Sequence, residues 1–247
     1  MYLYESLFVY MQVETFMLWD VQCPTSASSH HLAGVLFSLP NLTELRLNGR
    51  EFNEEFFSTL NAKASTLHVE SLWLWDVQCP TSASSHNLVD ALCSMPNLTE
   101  LSLSGKFFQE FYSTLNAKAS TLQVQTLNLQ ASLGWPTSAT SHYLVDALCS
   151  MPNLTELSLN GKFFRKEFYS TLNAKASTLQ VQTLNLQASI QWPTSATSHY
   201  LVDALCSMPN LTLLTLRGFT FQEEFNSTLN AKASALELKA RILWVDH

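Results

Sequence analysis

The chain has 247 residues, 47% of them hydrophobic, so it is long enough and apolar enough to bury a continuous core. Charged residues make up only 13%, and 13 basic against 20 acidic residues give a net charge of −7. Proteins that bind nucleic acid neutralise its phosphates with clustered Lys and Arg. Because no such cluster occurs, we predict no nucleic-acid partner.

The N-terminal stretch MYLYESLFVYMQVETFMLWD is apolar but lacks the features of a secretory signal. No Lys or Arg precedes its apolar part, Glu5 and Glu14 interrupt it, and it has no clear small-residue cleavage site. No run of about 18 uncharged apolar residues occurs in the chain, so we also predict no membrane insertion. These features favour a cytoplasmic location.

Internal repetition organises the sequence. The motif PNLT recurs at intervals of 56, 56 and 57 residues, at Pro40, Pro96, Pro152 and Pro209. Each period contains two related halves, because LTELRL at 42–47 and VESLWL at 69–74 share the form LxxLxL, with Val at the first position of the second. The structural unit is therefore about 28 residues long, half of the period.

The form LxxLxL places two leucines on one face of a strand and turns the residues between them to the other face. We predict a ninth, degenerate unit beginning at Leu236 and eight strands before it, at 13–18, 42–47, 69–74, 98–103, 124–129, 154–159, 181–186 and 211–216. Apolar residues at helical spacing follow the strands, as at Leu88, Leu92 and Met95. Ser and Thr before these helices supply N-caps, and the Pro of PNLT ends the helix before it.

Each unit has a strand and a helix with one apolar face apiece, and stacking such units buries both faces in a parallel sheet lined by helices. The unit resembles a leucine-rich repeat of the long, ribonuclease-inhibitor-like kind. This resemblance implies an α/β solenoid, or horseshoe, with the sheet on its concave face and the helices on its convex face. We assign residues 1–247 to one solenoid of eight to nine repeats. Neither end shows a polar capping repeat, so we expect a fragment of a longer protein.

The phrases LCSMPNLTELSL and FYSTLNAKAS are similar to the C-terminal repeats of the NOD-like (NACHT and leucine-rich-repeat) receptors of invertebrate deuterostomes. One position departs from the repeat consensus, which has Asn or Cys three residues after the last strand Leu. That position holds Arg50, Val77, Lys106, Ser132, Lys162 and Ser189. We therefore expect no buried Asn ladder, and the backbone of this turn needs other hydrogen-bond partners.

Five cysteines recur with the repeats. Cys93, Cys149 and Cys206 are predicted to share one helix position, and Cys23 and Cys79 another. A helix from the intervening unit separates equivalent cysteines, which puts them about 16 to 20 Å apart, beyond the ~7 Å Cα separation that a disulfide allows. We predict five free thiols, which favours a reducing compartment.

Four histidines, His30, His86, His142 and His199, recur beside Ser and Thr. Three of them have an Asp four residues later, where the two side chains can pair on one helix face. Catalysis needs a nucleophile, its base and an oxyanion site together, and the repeated copies lie too far apart to share a metal. We predict a structural role at the helix start, and no catalytic residue, no metal and no cofactor.

Five sequons would accept glycans only if the chain were secreted. They are NST at Asn226 and NLT at Asn41, Asn97, Asn153 and Asn210. The Leu of each NLT is a predicted core position, so we expect these residues to serve the turn into the strand instead. Secretion stays open as the alternative.

The residues between the strand leucines are predicted to form the exposed concave face. Between the period that starts at Leu39 and the one that starts at Met95, the leucines stay unchanged while this face varies, Trp73 becoming Asn128 and Trp75 becoming Gln130. Drift at exposed positions gives the same pattern. Trp and Arg are the types enriched at binding hot spots, and clustered exposed aromatics indicate contact, either with a partner or with further N-terminal repeats. The candidate binding residues are Met17, Trp19, Arg46, Trp73, Trp75, Asn128, Gln130, Asn185 and Gln187.

We therefore expect a non-enzymatic recognition module that binds a protein or microbial ligand or holds its parent autoinhibited. The resemblance implies the repeat region of an innate-immune NOD-like-receptor-like protein. The alternatives are the substrate-recognition arm of an F-box-type ubiquitin ligase adaptor and a secreted, glycosylated repeat receptor. An upstream nucleotide-binding module, F-box or signal peptide would distinguish the three. The pattern predicts no particular ligand and no particular oligomeric state.

Overall fold

A parallel sheet runs the length of the protein. The computed structural model describes residues 13–23, 25–107, 109–131, 138–163, 166–191, 195–218, 223–233 and 241–245. Within them, nine strands pair in chain order: β1 Thr15–Leu18, β2 Glu44–Asn48, β3 Ser71–Gln78, β4 Glu100–Lys106, β5 Thr126–Ala131, β6 Glu156–Phe163, β7 Thr183–Gln191, β8 Leu213–Gly218 and β9 Arg241–Val245. A second, two-stranded sheet pairs Gln22–Cys23 with Glu51–Phe52.

A helix lies between each strand of the large sheet and the next. The described part of the chain contains α1 Ser26–Phe37, α2 Glu54–Lys63, α3 Ser82–Ser94, α4 Gln109–Lys118, α5 Ser138–Ser150, α6 Lys166–Lys175, α7 Ser195–Ser207 and α8 Glu223–Ala233. Every helix packs against the following one, so the helices form one continuous layer. This confirms the predicted α/β leucine-rich-repeat solenoid. None of the described helices is long and apolar enough to cross a membrane.

Leucines of the LxxLxL motif form the core between the two layers. One ladder of register partners, all buried, consists of Leu45, Leu72, Leu101, Leu127, Leu157, Leu184 and Leu214. Burying one such side chain contributes roughly 1.5 to 3 kcal/mol before the loss of conformational entropy is counted. Repetition of the motif therefore supplies one cross-section of the core per unit.

Each strand begins two residues later than the motif predicts. Leu42, the first residue of its motif, is buried but precedes β2. The amides of Thr43 and Glu44 both donate to the carbonyl oxygen of Glu14 at 2.9 Å, and the same bridge recurs in the following units. The strand ladder therefore starts after this shared acceptor. A ninth strand, β9, follows the unit start predicted at Leu236, but it begins five residues after that position and not two. Leu236 itself lies outside the described residues.

The turn that lacks the consensus Asn is satisfied by backbone groups. Gly49 N donates to Trp75 O at 3.0 Å, and Val21 N donates to Asn48 O at 2.8 Å. Val77 occupies one of the consensus-Asn positions and is buried as part of the core. The expectation that this turn finds other partners is confirmed.

Two helix starts are capped by threonine as predicted: Thr25 Oγ1 accepts a hydrogen bond from Ser28 N at 3.2 Å in α1, and Thr81 Oγ1 accepts one from Ser84 N at 3.1 Å in α3. All five cysteines are free, as expected. The second predicted helix position is wrong: Cys23 ends a short strand and Cys79 follows β3, both buried. The reason is that the WDVQC segment continues along the sheet, and the helix begins only after the capping threonine.

Candidate functional site

The side of the large sheet away from the helices is called the open face here. On β2, Leu45 and Leu47 are buried, whereas Arg46 and Asn48 between them are partly exposed. This alternation confirms the predicted inward and outward assignment. Two outward positions are exceptions, since Ser102 is only 3% exposed and Thr215 only 7%. Ser102 is the register partner of Trp73, and we attribute its burial to the bulk of the adjacent indole.

At the N-terminal end of the open face lies an aromatic patch, defined as Met17, Trp19, Arg46, Trp73 and Trp75. Trp19 is 63% exposed and Met17 45%. The rings of Trp19 and Trp75 are stacked with centroids 5.2 Å apart, and Trp73 meets Trp75 edge-on, also at 5.2 Å. The structure therefore brings together the residues that the sequence placed on neighbouring strands.

A row of polar groups fixes the orientation of the aromatic patch. The guanidinium carbon of Arg46 lies 4.4 Å from the Trp73 ring centroid, and Arg46 Nε donates to Glu44 Oε1 at 2.5 Å. Trp73 Nε1 donates to Ser71 Oγ at 2.8 Å, and Ser71 Oγ donates to Glu100 Oε2 at 3.1 Å. An exposed cation–π contact contributes about 0.5 to 1 kcal/mol. These pairs hold the indole and the guanidinium in place before any ligand binds.

Sequence reasoning did not single out Glu44, Ser71 and Glu100 for this positioning role. The sequence did contain an indication of this role, because each of the three residues begins its strand. Each lies two positions before an open-face residue of the same strand, namely Arg46, Trp73 or Ser102, and therefore on the same side of the sheet. Their acidic and hydroxyl groups are the natural partners of an Arg and an indole N–H. The pairing was therefore open to prediction from strand alternation.

Further along the open face lies an amide patch, defined as Asn128, Gln130, Ser158, Asn160, Asn185 and Gln187. These residues line a shallow depression of about 260 Å³, which Thr215 and Arg217 also line. Asn128, Ser158 and Asn185 are register partners in one row, and Gln130, Asn160 and Gln187 form the next. Among the described residues, none of the six side chains has a hydrogen-bond partner.

Four of the five sequon asparagines have described side chains, and all four are exposed: Asn41, Asn97, Asn153 and Asn210. The side chain of Asn226 lies outside the described residues. Asn153 Nδ2 donates to Gln123 Oε1 at 2.8 Å, and Asn210 makes the equivalent bond to Gln180 at 2.7 Å. These asparagines border the entry to the strands, as expected, and do not reach the aromatic or amide patch.

The predicted pairing of His with Asp four residues later is wrong. His86 Nδ1 lies 2.7 Å from the carbonyl oxygen of Ser82, whereas Asp90 pairs with Lys118 of the next helix at 2.5 Å. The lysine carries a full charge, and this hydrogen bond raises the pKa of Lys118. The same ion pair recurs at Asp146 with Lys175 and at Asp203 with Lys232. These groups therefore join neighbouring repeat units.

Within the described ranges, no group of three or more His, Cys, Asp or Glu residues is arranged to hold a metal ion. The polar residues of the protein instead lie in rows that follow the repeat. On the sheet side, these rows can contact a large or extended ligand at many points.

The strands, helices and open face define a leucine-rich-repeat solenoid. No family model matches the chain, and no curated protein matches it. Among solved structures, a crystal structure of a TLR13–ssRNA13 complex matches over 87% of this chain and 34% of that one, at 18% identity and a TM-score of 0.37. The chain spans about a third of the length of that protein.

Proposed function

We propose that the chain is a non-enzymatic recognition module that binds a protein partner through the aromatic patch. The observation that carries this proposal is the stack of Trp19 on Trp75 on the open face, with Trp19 mostly exposed. Folding by itself favours covering such rings, and exposed clusters of large apolar groups mark interaction sites. Trp and Arg are also the residue types that dominate binding hot spots.

The aromatic patch is already ordered for binding. A side chain that a partner must immobilise costs about 0.5 to 1.5 kcal/mol on association. Here the Arg46 guanidinium is held by Glu44 and Trp73, and the Trp73 indole is held by Ser71. Much of that ordering cost is therefore met in the free protein, which favours the patch as the centre of an interface.

We further propose that the parent protein is a cytoplasmic, NOD-like-receptor-like protein of innate immunity, with this chain as its sensing or autoinhibitory region. Two observations support this proposal: the similarity of the repeat segments LCSMPNLTELSL and FYSTLNAKAS to those of NOD-like receptors, and the five free thiols. A protein partner or an autoinhibited parent would use the same open face. The exposed sequons, such as Asn41 and Asn97, favour a secreted receptor as the second candidate.

Photo-crosslinking tests the protein-binding role. A photoreactive p-benzoylphenylalanine at Met17 is irradiated in extracts of cells that express the chain, with the same group at Asn160 as the matched position outside the aromatic patch. A partner crosslinked at Met17 but not at Asn160 is then purified, and its affinity is measured by interferometry. We expect Trp19→Ala to weaken binding at least tenfold, because truncating a hot-spot aromatic typically costs about 2 kcal/mol or more.

The matched control is the equivalent pair one period later. The double variant Trp73→Ala with Trp75→Ala should weaken binding of the purified partner more than the double variant Asn128→Ala with Gln130→Ala does. Trp19→Ala should leave stability within about 0.5 kcal/mol, as expected for a surface position. Equal binding by the wild type and the Trp variants, or a Trp19→Ala protein that melts far earlier, would show that these rings serve the fold and not a partner.

A further inference from the structure

We propose that the amide patch is a second binding site, for an uncharged, extended polysaccharide built from β-linked disaccharide units. This inference goes beyond the protein-binding role of the aromatic patch and does not depend on it. It concerns a different group of strands, β5 to β7, and a different ligand chemistry. Free hydrogen-bonding groups, their repetition and the local charge support it.

The six side chains of the amide patch are available to a ligand. Neither their amides nor their hydroxyl is paired with another described residue, whereas Glu44 and Ser71, which border the aromatic patch, are both hydrogen-bonded to its residues. A carboxamide presents two donors and an acceptor in one plane. Neighbouring sugar hydroxyls each donate and accept, so they can satisfy both kinds of group at once. A row of carboxamides is therefore suited to a polyhydroxylated ligand.

The patch repeats its own chemistry. Asn128 and Gln130 on β5 correspond to Asn185 and Gln187 on β7, with β6 between them in register. Strands lie about 4.8 Å apart, so identical pairs are separated by about 9.6 Å across the sheet. A disaccharide unit of an extended β-1,4-linked chain has a similar length. An extended peptide instead repeats its same-side residues every ~6.8 Å, out of step with the two pairs.

Charge also favours a neutral ligand. The six defining side chains carry no charge, and among the described residues that line the depression Arg217 is the single cation. A bound polyanion needs several Lys or Arg residues to replace its counterions. Single-stranded nucleic acids also rely on aromatic rings for base stacking, and the rings of the aromatic patch lie at the N-terminal end of the open face, away from β5 to β7. An RNA strand therefore fits the amide patch poorly.

Hydrogen bonds alone set the expected strength of binding. Each contributes only about 0.5 to 1.5 kcal/mol net in water. A single disaccharide should bind weakly because it contacts one Asn and Gln pair. A chain of three disaccharides spans both pairs, and the second pair then binds at a high effective concentration. Affinity should therefore rise steeply with chain length.

Calorimetric titration of the full chain tests the site. The ligands are cellohexaose and chitohexaose, each with its own disaccharide, and the comparators are the α-linked maltohexaose and the RNA decauridylate. We expect one of the β-1,4 hexamers to bind at least tenfold more tightly than its disaccharide and than either comparator. Asn128→Ala with Asn185→Ala should weaken that binding at least tenfold.

Two variants control the experiment. Gln123→Ala with Gln180→Ala removes two exposed amides at the same spacing but outside the patch, and should leave hexamer affinity unchanged. Trp73→Ala with Trp75→Ala should also leave it unchanged, which separates this site from the protein-binding role. The proposal is overturned if neither hexamer binds at millimolar concentration, if decauridylate binds more tightly than both, or if the Gln variant loses as much affinity as the Asn variant.

Discussion

Replacing Gly105 by alanine should destabilise the solenoid, because strands β3 and β4 approach each other too closely for a side chain there. Gly105 is the register partner of Val77 and has φ of +157°. An added Cβ would lie 1.8 Å from the carbonyl oxygen of Val77. That oxygen belongs to the backbone of the neighbouring strand and cannot rotate away.

The size of the effect follows from this distance. Ordinary contact begins near 3.4 Å, so the two atoms would have to separate by 3.4 − 1.8, or 1.6 Å. A ladder hydrogen bond spans only ~2.7 to 3.2 Å, and such a shift breaks it locally. Overpacking typically costs about 1 to 3 kcal/mol, and each lost hydrogen bond about 1 kcal/mol more. We therefore expect Gly105→Ala to lower the free energy of unfolding by about 3 kcal/mol.

Gly34 provides the matched control. It lies inside α1, and a Cβ built there meets nothing within 4 Å. Gly34→Ala should raise the free energy of unfolding by about 1 kcal/mol, because alanine favours the helix by that amount over glycine. Urea unfolding followed by circular dichroism measures both variants. A Gly105→Ala protein as stable as the wild type would refute the close approach of β3 and β4.

Three further outcomes are expected. In urea melts, Leu101→Asp should lower the free energy of unfolding by more than about 4 kcal/mol, because it buries an unpaired charge. Ser158→Asp on the open face should lower it by less than about 1 kcal/mol. Equal losses of stability would contradict the inward and outward assignment. Burial raises the pKa of the Cys79 thiol to about 12, so the thiolate is scarce at lower pH. Iodoacetamide at pH 8 should therefore modify Cys79 far more slowly in the folded protein than in urea, as followed by peptide mass spectrometry, and equal rates would show an open site. Thr81→Ala should lower the free energy of unfolding by about 1 kcal/mol, because it removes the N-cap hydrogen bond, and Ser82→Ala should lower it by only about a few tenths. A larger loss for Ser82→Ala than for Thr81→Ala would show that Thr81 is not the cap.

Repetition made much of the fold predictable from sequence. The LxxLxL spacing determined which residues face the core, because strand side chains alternate and an apolar face must be buried in every unit. The same alternation placed Trp73 and Trp75 on the open face. The free thiols followed from spacing too, since one unit separates each equivalent pair of cysteines.

Positions that depend on the neighbouring unit were not predictable in this way. The strands begin two residues after their predicted starts because one carbonyl oxygen, that of Glu14 in the first unit, accepts hydrogen bonds from two amides of the next unit. Asp90 pairs with Lys118 and not with His86 because successive helices bring the lysine within reach. Neither the shared acceptor nor the distance between helices is encoded in the spacing within a single repeat.

The aromatic patch shows most clearly which features the sequence determined and which only the tertiary structure decided. Sequence alone determined that Trp19 and Trp75 lie 56 residues apart, at equivalent positions of the repeat, and on one face of the sheet. Their strands are separated by β2 and so lie about 9.6 Å apart, yet the ring centroids are 5.2 Å apart. The two indoles must therefore lean toward each other across β2. Only the tertiary structure decided this stack, because ring rotation depends on the neighbouring side chains as well as on strand alternation.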